Sequence, residues 1–304
     1  MYFVRRILFA VPLLLLISAL AFALVHVAPG GPFDRERKPA SPEIERNLRA
    51  KYHLDEPVWR QYGRYLGDLM HADFGVSLKY RNHSVADIIA QGLPVSMLLG
   101  GLAFCVALAV GLPLGFYTAA ARGRWPDYAG SLLAVMAVCI PSFVLAPALI
   151  LVFAMKLKWL PVALWETPWH MILPPIALGA FFAGQVARIL REGMLGAAQS
   201  EFVIAARAKG LGETKLLFKH VFRIALLPVV SYTGPMLADL LTGSFVVENI
   251  FQIPGIGVFL VNSSLNRDYT VVVGLSLLYA MLLIGLNLVV DFAYLVLDPR
   301  LKYE

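Results

Sequence analysis

The sequence predicts an all-α polytopic membrane protein with six transmembrane helices. Three observations predict it. Of 304 residues, 59% are hydrophobic and only 15% are charged, where a soluble domain carries about a quarter charged residues. The apolar residues gather into runs of about 20, enough to cross a hydrocarbon layer of about 30 Å. Polar intervals containing Lys and Arg separate those runs.

The same composition excludes several classes. A net charge of +6 spread over many loops does not point to nucleic acid. Cys105 and Cys139 both fall in apolar runs and read as small core or lipid-facing residues, not as a disulfide or metal pair. His26, His53, His71, His83, His170 and His220 show no metal-ligand spacing. No Gly-x-x-x-x-Gly-Lys-Ser/Thr loop occurs; Gly210-Leu-Gly212-Glu-Thr-Lys215 echoes one without a preceding strand, so the chain is not expected to bind ATP. No nucleophile–base pair marks it as an enzyme.

Taken in order, Arg5 and Arg6 precede the apolar run 7–27. Its length suits a full span better than the core of a signal peptide. Residues 28–94 form a long polar interval with ten basic and nine acidic residues. It is expected to be an extracytoplasmic subdomain of amphipathic helices, either a lid that packs or a landing surface for a soluble partner. Pro42 and Pro57 start helices there. Val58, Tyr62, Tyr65, Leu66 and Leu69 recur at helical spacing. Ser84-x-x-Asp87 is a capping box, and Gly92 is expected to close its helix. Five further spans are expected at 95–119, 128–155, 171–189, 224–247 and 270–296. Pro113, Pro141, Pro147, Pro228 and Pro235 should kink them.

Orientation follows from the basic residues. The termini, the loop 120–127 and the loop 190–223, with Arg188 at its border, hold 13 Lys and Arg; the opposite short loops hold three. Both termini and the stretch 200–228 should therefore face the cytoplasm. That stretch is expected to begin with a short helix, 201–208, rich in Ala205, Ala206 and Ala208, with Gly210 where a helix C′ residue sits. A second short helix, 213–223, carries Lys215, Lys219 and Arg223 as one stripe. A small-surfaced helix between two spans suits docking into a groove of another protein. A solvated basic loop is the plainer alternative.

Charges inside spans are costly and should face protein or water. Asp239 sits centrally in the fifth expected span, and Glu248 lies at its outer end. Asp239 either lines a translocation cavity or bonds to Thr242, Asn287 or Gln185. Asp239, Thr242, Gln185 and Glu248 are the pathway candidates.

RAKYHLDEP (49–57), ADFGVSLKY (72–80), ARILREGM (187–194), AARAKGL (205–211), VVENIFQIPGIG (246–257), LNRDYTVV (265–272) and DPRLKY (298–303) resemble the permease subunits of oligopeptide ABC importers, of the dipeptide/oligopeptide/nickel permease family. The family's coupling motif begins Glu-Ala-Ala, with Gly further on. Here Ile204, Ala205 and Ala206 match it, then Gly210, so the Glu is absent. The resemblance implies a type I importer permease fold in a bacterial inner membrane, with a core 95–304 and an extra first helix. It implies a second homologous permease chain, two ATP-binding subunits and an extracytoplasmic peptide-binding protein. This chain would form half of a peptide pathway and hold no cofactor, ATP and Mg²⁺ being bound by the ATPase subunits. Glu201, Ala205, Ala206, Arg207, Ala208, Lys209 and Gly210 would couple to those subunits. Arg207 and Lys209 would meet acidic groups of the ATPase or anionic headgroups. Dipeptide or nickel cargo, or a stand-alone secondary transporter, are the alternatives.

Overall fold

Prolines, glycines and polar caps set the helix ends in the computed structural model, which describes residues 2–27, 55–71, 73–80, 83–241 and 244–297, the side chains of 2–7, 25 and 290–297 excepted. The helices are α1 (Tyr2–Val27), α2 (Val58–Met70), α3 (Val85–Ala120), α4 (Trp125–Cys139), α5 (Ser142–Leu149), α6 (Leu173–Ala197), α7 (Glu201–Ala208), α8 (Glu213–Leu216), α9 (Phe222–Leu241), α10 (Phe245–Ile250), α11 (Ile256–Asn266) and α12 (Tyr269–Leu297). Among the described residues the only strand-like feature is an isolated bridge between Val76 and Ser84. The protein is an all-α, multi-pass membrane protein. Val85–Ala120, Pro168–Ala197, Glu213–Leu241 and Tyr269–Val289 are each long and apolar enough to cross a bilayer, and the bent pair Trp125–Cys139 with Ser142–Lys156 adds a fifth span if counted as one. α1, with 26 residues, runs about 39 Å at 1.5 Å per residue and makes the number consistent with six.

Several ends differ from expectation. The capping box forms: the Ser84 amide and hydroxyl donate to Asp87 at 2.9 and 2.7 Å, and the Asp87 amide donates back to Ser84 Oγ at 3.1 Å. Gly92 does not close that helix, because α3 continues through Pro94 into the span. Pro141 breaks the third expected span outright. Ile140 is held extended (φ −84°, ψ 113°), as a residue before proline prefers, and the two halves diverge by 107°. α5 then continues as a π-helix, Ile150–Lys156. The separate helix expected at 213–223 does not exist on its own. α8, a π-helical stretch at Leu217–Val221 and α9 follow one another without a break, since nothing between 213 and 227 interrupts a helix. The fifth span ends at Leu241, not 247; Ser244 caps the separate α10, accepting from the Val247 amide at 3.5 Å. The helix start expected at Pro42 lies outside the described residues.

The chain divides into two units, Met1–Val95 with Pro254–Leu288, and Ser96–Ile253 with Val289–Pro299. In the first, α2 lies on α1. Tyr62 Oη bonds Ser18 Oγ at 2.9 Å, and Phe22 stacks on His26 with centroids 4.2 Å apart. Val85, Ile88, Ile256, Val271 and Leu275 form the core of this unit. Two stretches far apart in sequence meet at Asp268, which is fully buried. Its carboxylate accepts the Ser77 hydroxyl, the Leu78 amide at 3.1 Å, the Lys79 amide at 3.3 Å and the Val271 amide at 3.4 Å. One side chain thus caps α12 and holds the turn that precedes α3.

In the second unit α6 is central, packed by α4, α5 and α9. α3 approaches it through Gly111 and Gly115. A Cβ at Gly111 would lie 2.7 Å from the Ala183 carbonyl oxygen, and one at Gly115 2.6 Å from that of Ala187. Small residues four apart on both helices permit this backbone contact.

Asp268→Ala would leave the buried Ser77 hydroxyl and the Leu78 and Val271 amides without their acceptor, while the Lys79 amide keeps Ser77 Oγ at 3.1 Å, so it should cost about 3 kcal/mol. Tyr65 provides the control. Its buried hydroxyl has no partner among the described residues, and burial, with a smaller push from Tyr62, raises its pKa to about 12. Tyr65→Phe should leave the thermal midpoint of the detergent-solubilised protein unchanged or raised, while Asp268→Ala lowers it.

Candidate functional site

α7 begins three residues after α6 ends. Ser200 is extended ahead of it (φ −71°, ψ 146°) and Glu201 lies in its first turn, where the helix dipole favours an acid. Its end is a Schellman motif. The Gly210 amide donates to the Arg207 carbonyl at 3.0 Å, and the Leu211 amide to that of Ala206 at 3.3 Å. That closure needs a left-handed residue, and Gly210 supplies φ +81°.

α7 is anchored by one face and bare on the other. Val203 is fully buried, as is Leu216 of α8, in a core with Leu190, Met194, Ala197 and Val221; Ala206 packs half-buried against it. Glu201, Ile204, Ala205 and Ala208, spaced three and four apart, are exposed as one stripe, with Phe202 beside it. Ile204 is 55% exposed and Phe202 45%. The two adjacent alanines therefore do different things: Ala205 faces out, while Ala206 seats the helix.

Arg207 is engaged within the chain. Its Nε and Nη2 donate to the two carboxylate oxygens of Glu213 at 2.7 and 3.3 Å. The pair is exposed on both sides and contributes about 0.5 kcal/mol, but it pins α7 to α8. Lys209 is exposed at the C-cap. Lys215, Lys219 and Arg223 are exposed together.

The pathway candidates separate. Asp239 lies on an exposed face of α9, between buried Ala238 and Leu240. Glu248 lies not at a span end but in α10, at 0% exposure, where Ser96 Oγ donates to it at 2.7 Å. Gln185 is half-buried on α6. Thr242 lies outside the described residues. No group of three or more His, Cys, Asp or Glu that could hold a metal occurs among the described residues.

The sequence reading gave four participants no part of their own, Ile204 entering only as a motif match. Phe202 and Ile204 were visible as apolar positions out of phase with Val203 and Ala206. Glu213 stood six residues beyond Arg207, across a Gly-x-Gly turn. Asp127, bonded to Arg191 across 64 residues, gave no local signal.

A short helix seated between two spans of a multi-pass membrane protein, with an apolar stripe left exposed, offers a surface on which another chain could dock. Residues 111–303 match the family of binding-protein-dependent transport system inner membrane components, and residues 1–100 match its N-terminal component. The chain belongs to that family. It is 42% identical over 302 residues to the oligopeptide transport system permease protein OppB of Haemophilus influenzae, covering 98% of each chain. It is 43% identical over 305 residues to OppB of Salmonella typhimurium, covering 99% of each. The dipeptide transport system permease protein DppB of Bacillus subtilis is 42% identical over 301 residues, 99% of this chain and 97% of the relative.

The cap can be tested directly. Gly210→Val puts a branched side chain at φ +81° and should cost about 1–2 kcal/mol. Gly210→Asn should cost much less. Amide hydrogen exchange at 206–211 should rise sharply in the first variant and little in the second.

Proposed function

We propose that this chain is the permease subunit of an ATP-driven importer of oligopeptides and forms half of the translocation pathway. The observation that carries the reading is α7: a short capped helix, seated by Val203 and Ala206 and presenting Ile204, Ala205 and Ala208, in a chain of this family. The bias of 13 basic residues against three supports a cytoplasmic α7 and cytoplasmic termini, and an extracytoplasmic 28–94.

Fuel comes from outside the polypeptide. Two ATP-binding subunits hold ATP and Mg²⁺, and one of them docks on α7 and moves it. A second homologous permease completes the pathway, and an extracytoplasmic binding protein delivers the peptide. Because Arg207 is tied to Glu213, docking rests on the apolar stripe and on Lys209 more than on Arg207. Gly210 keeps the end of the helix closed while load passes through it.

Asp239 lines the peptide path. It is the carboxylate that α9 turns outward, whereas Glu248 is a packing group within its own unit. A carboxylate in a wet pathway suits the amino terminus shared by all peptides and leaves side-chain selectivity to the binding protein.

Dipeptide cargo is a second reading, favoured by the 42% identity to the Bacillus subtilis dipeptide relative. Competition of labelled tetrapeptide uptake by excess dipeptide separates the two. Weak competition is expected for the oligopeptide importer, and complete competition would favour the second reading.

Ala205→Glu, at the exposed stripe, should abolish peptide-stimulated ATPase activity and co-purification of the ATP-binding subunits without lowering expression. Unaltered uptake by that variant would defeat the assignment of α7. Asp239→Leu should lower uptake by on the order of tenfold in an assembled complex, and normal uptake would remove Asp239 from the path.

A further inference from the structure

Asp127 and Arg191 join the start of α4 to α6, the helix that leads into α7. Asp127 is 4% exposed and stands in the first turn of α4. Arg191 Nε donates to its Oδ1 at 2.8 Å and Nη2 to its Oδ2 at 3.0 Å. The Gly123 amide donates to Oδ2 at 3.0 Å and Ser131 Oγ to Oδ1 at 3.3 Å. The carboxylate is thus gripped from three sides.

A second contact between the same helices lies seven residues away on each. A Cβ at Gly184 would lie 2.5 Å from the Ala134 carbonyl oxygen. Positions 134 and 127 of α4 face 184 and 191 of α6, the register of an antiparallel pair. The two contacts are about 10 Å apart along the axes. One is a backbone contact that fixes separation. The other is a planar two-bond pair that fixes rotation and sliding. Two apolar side chains could hold these helices together as strongly, but they would not set the angle between them.

We propose that the Asp127–Arg191 pair makes α4 and α6 one rigid lever, through which movement of α7 reaches the third span. They are positioning residues for coupling. α6 leads into α7 within three residues, so it takes the load first. The other end of α4 is the break at Ile140–Pro141, where the chain turns by 107°, so the lever ends at a joint. This inference rests on the coupling role of α7 proposed above.

The test uses the assembled complex in liposomes, with ATP hydrolysis and peptide uptake measured together. Arg191→Gln and Asp127→Asn should each keep the co-purified ATP-binding subunits and their hydrolysis. Peptide moved per ATP should fall by on the order of tenfold. Arg191→Lys, which keeps the charge but loses the second bond, should fall less. The double variant should be no worse than the worse single one. Hydrolysis and uptake falling in proportion, full uptake in Arg191→Gln, additive losses in the double variant, or failure of all variants to assemble would each overturn the lever. A wild-type chain that brings down no ATP-binding subunit would instead sink the coupling role itself.

Discussion

Backbone contact between helices, made possible where side chains are missing, is the constraint on which the second unit depends. Lipid is as apolar as leucine, so no hydrophobic force drives helices together within a bilayer. What remains is interhelical bonding, as between Asp127 and Arg191, and dispersion at short range, which requires small residues. Gly111 and Gly115 bring α3 to the Ala183 and Ala187 carbonyls, Gly179 meets the Ala103 carbonyl, and Gly184 meets that of Ala134. All converge on α6. With α3 and α4 both held this closely, α6 has little freedom to bend away from them. Larger side chains at these positions would separate the helices.

That rigidity explains why α7 is short and seated rather than loose. Val203 and Leu216 place it in the same core as Leu190 and Met194 of α6. The Schellman closure at Gly210 and the Arg207–Glu213 pair finish it at the other end. A loop without these fixings would yield before it transmitted force. Beside Glu201, the stripe that α7 turns outward is small or apolar, Ile204, Ala205 and Ala208 with Phe202 at its edge, which is the surface the proposed docking would use.

Much of this was legible in the sequence, for local reasons. α7 has the bounds expected from its alanines and Gly210, because capping and propensity act within a few residues. The capping box at Ser84 was readable for the same reason. Hydropathy located the spans but not their continuity. Gly92 and Pro94 look like stops, yet α3 runs through them because the neighbouring residues are strongly apolar. Pro141 looked like a kink and proved a break: Ile140 took the extended conformation that a following proline favours, whereas the residues before Pro147, Pro228 and Pro235 stayed helical. The separation of Ala205 from Ala206 depends on which face Val203 seats, and that is a tertiary fact. Asp127 with Arg191, and Ser77 with Asp268, join residues 64 and 191 positions apart, where a single sequence carries no signal for pairing.

The two acidic groups first considered together, Asp239 and Glu248, show how burial sorts charges of equal sequence appearance. A carboxylate taken out of water loses several kcal/mol of hydration unless donors replace it. Glu248 is fully enclosed and receives the Ser96 hydroxyl, so its position is set by the packing of α10. Asp239 has buried neighbours on either side yet turns outward from α9. In a membrane protein an outward carboxylate is tolerable only against water or another chain. The peptide path proposed above would offer both, and lipid offers neither.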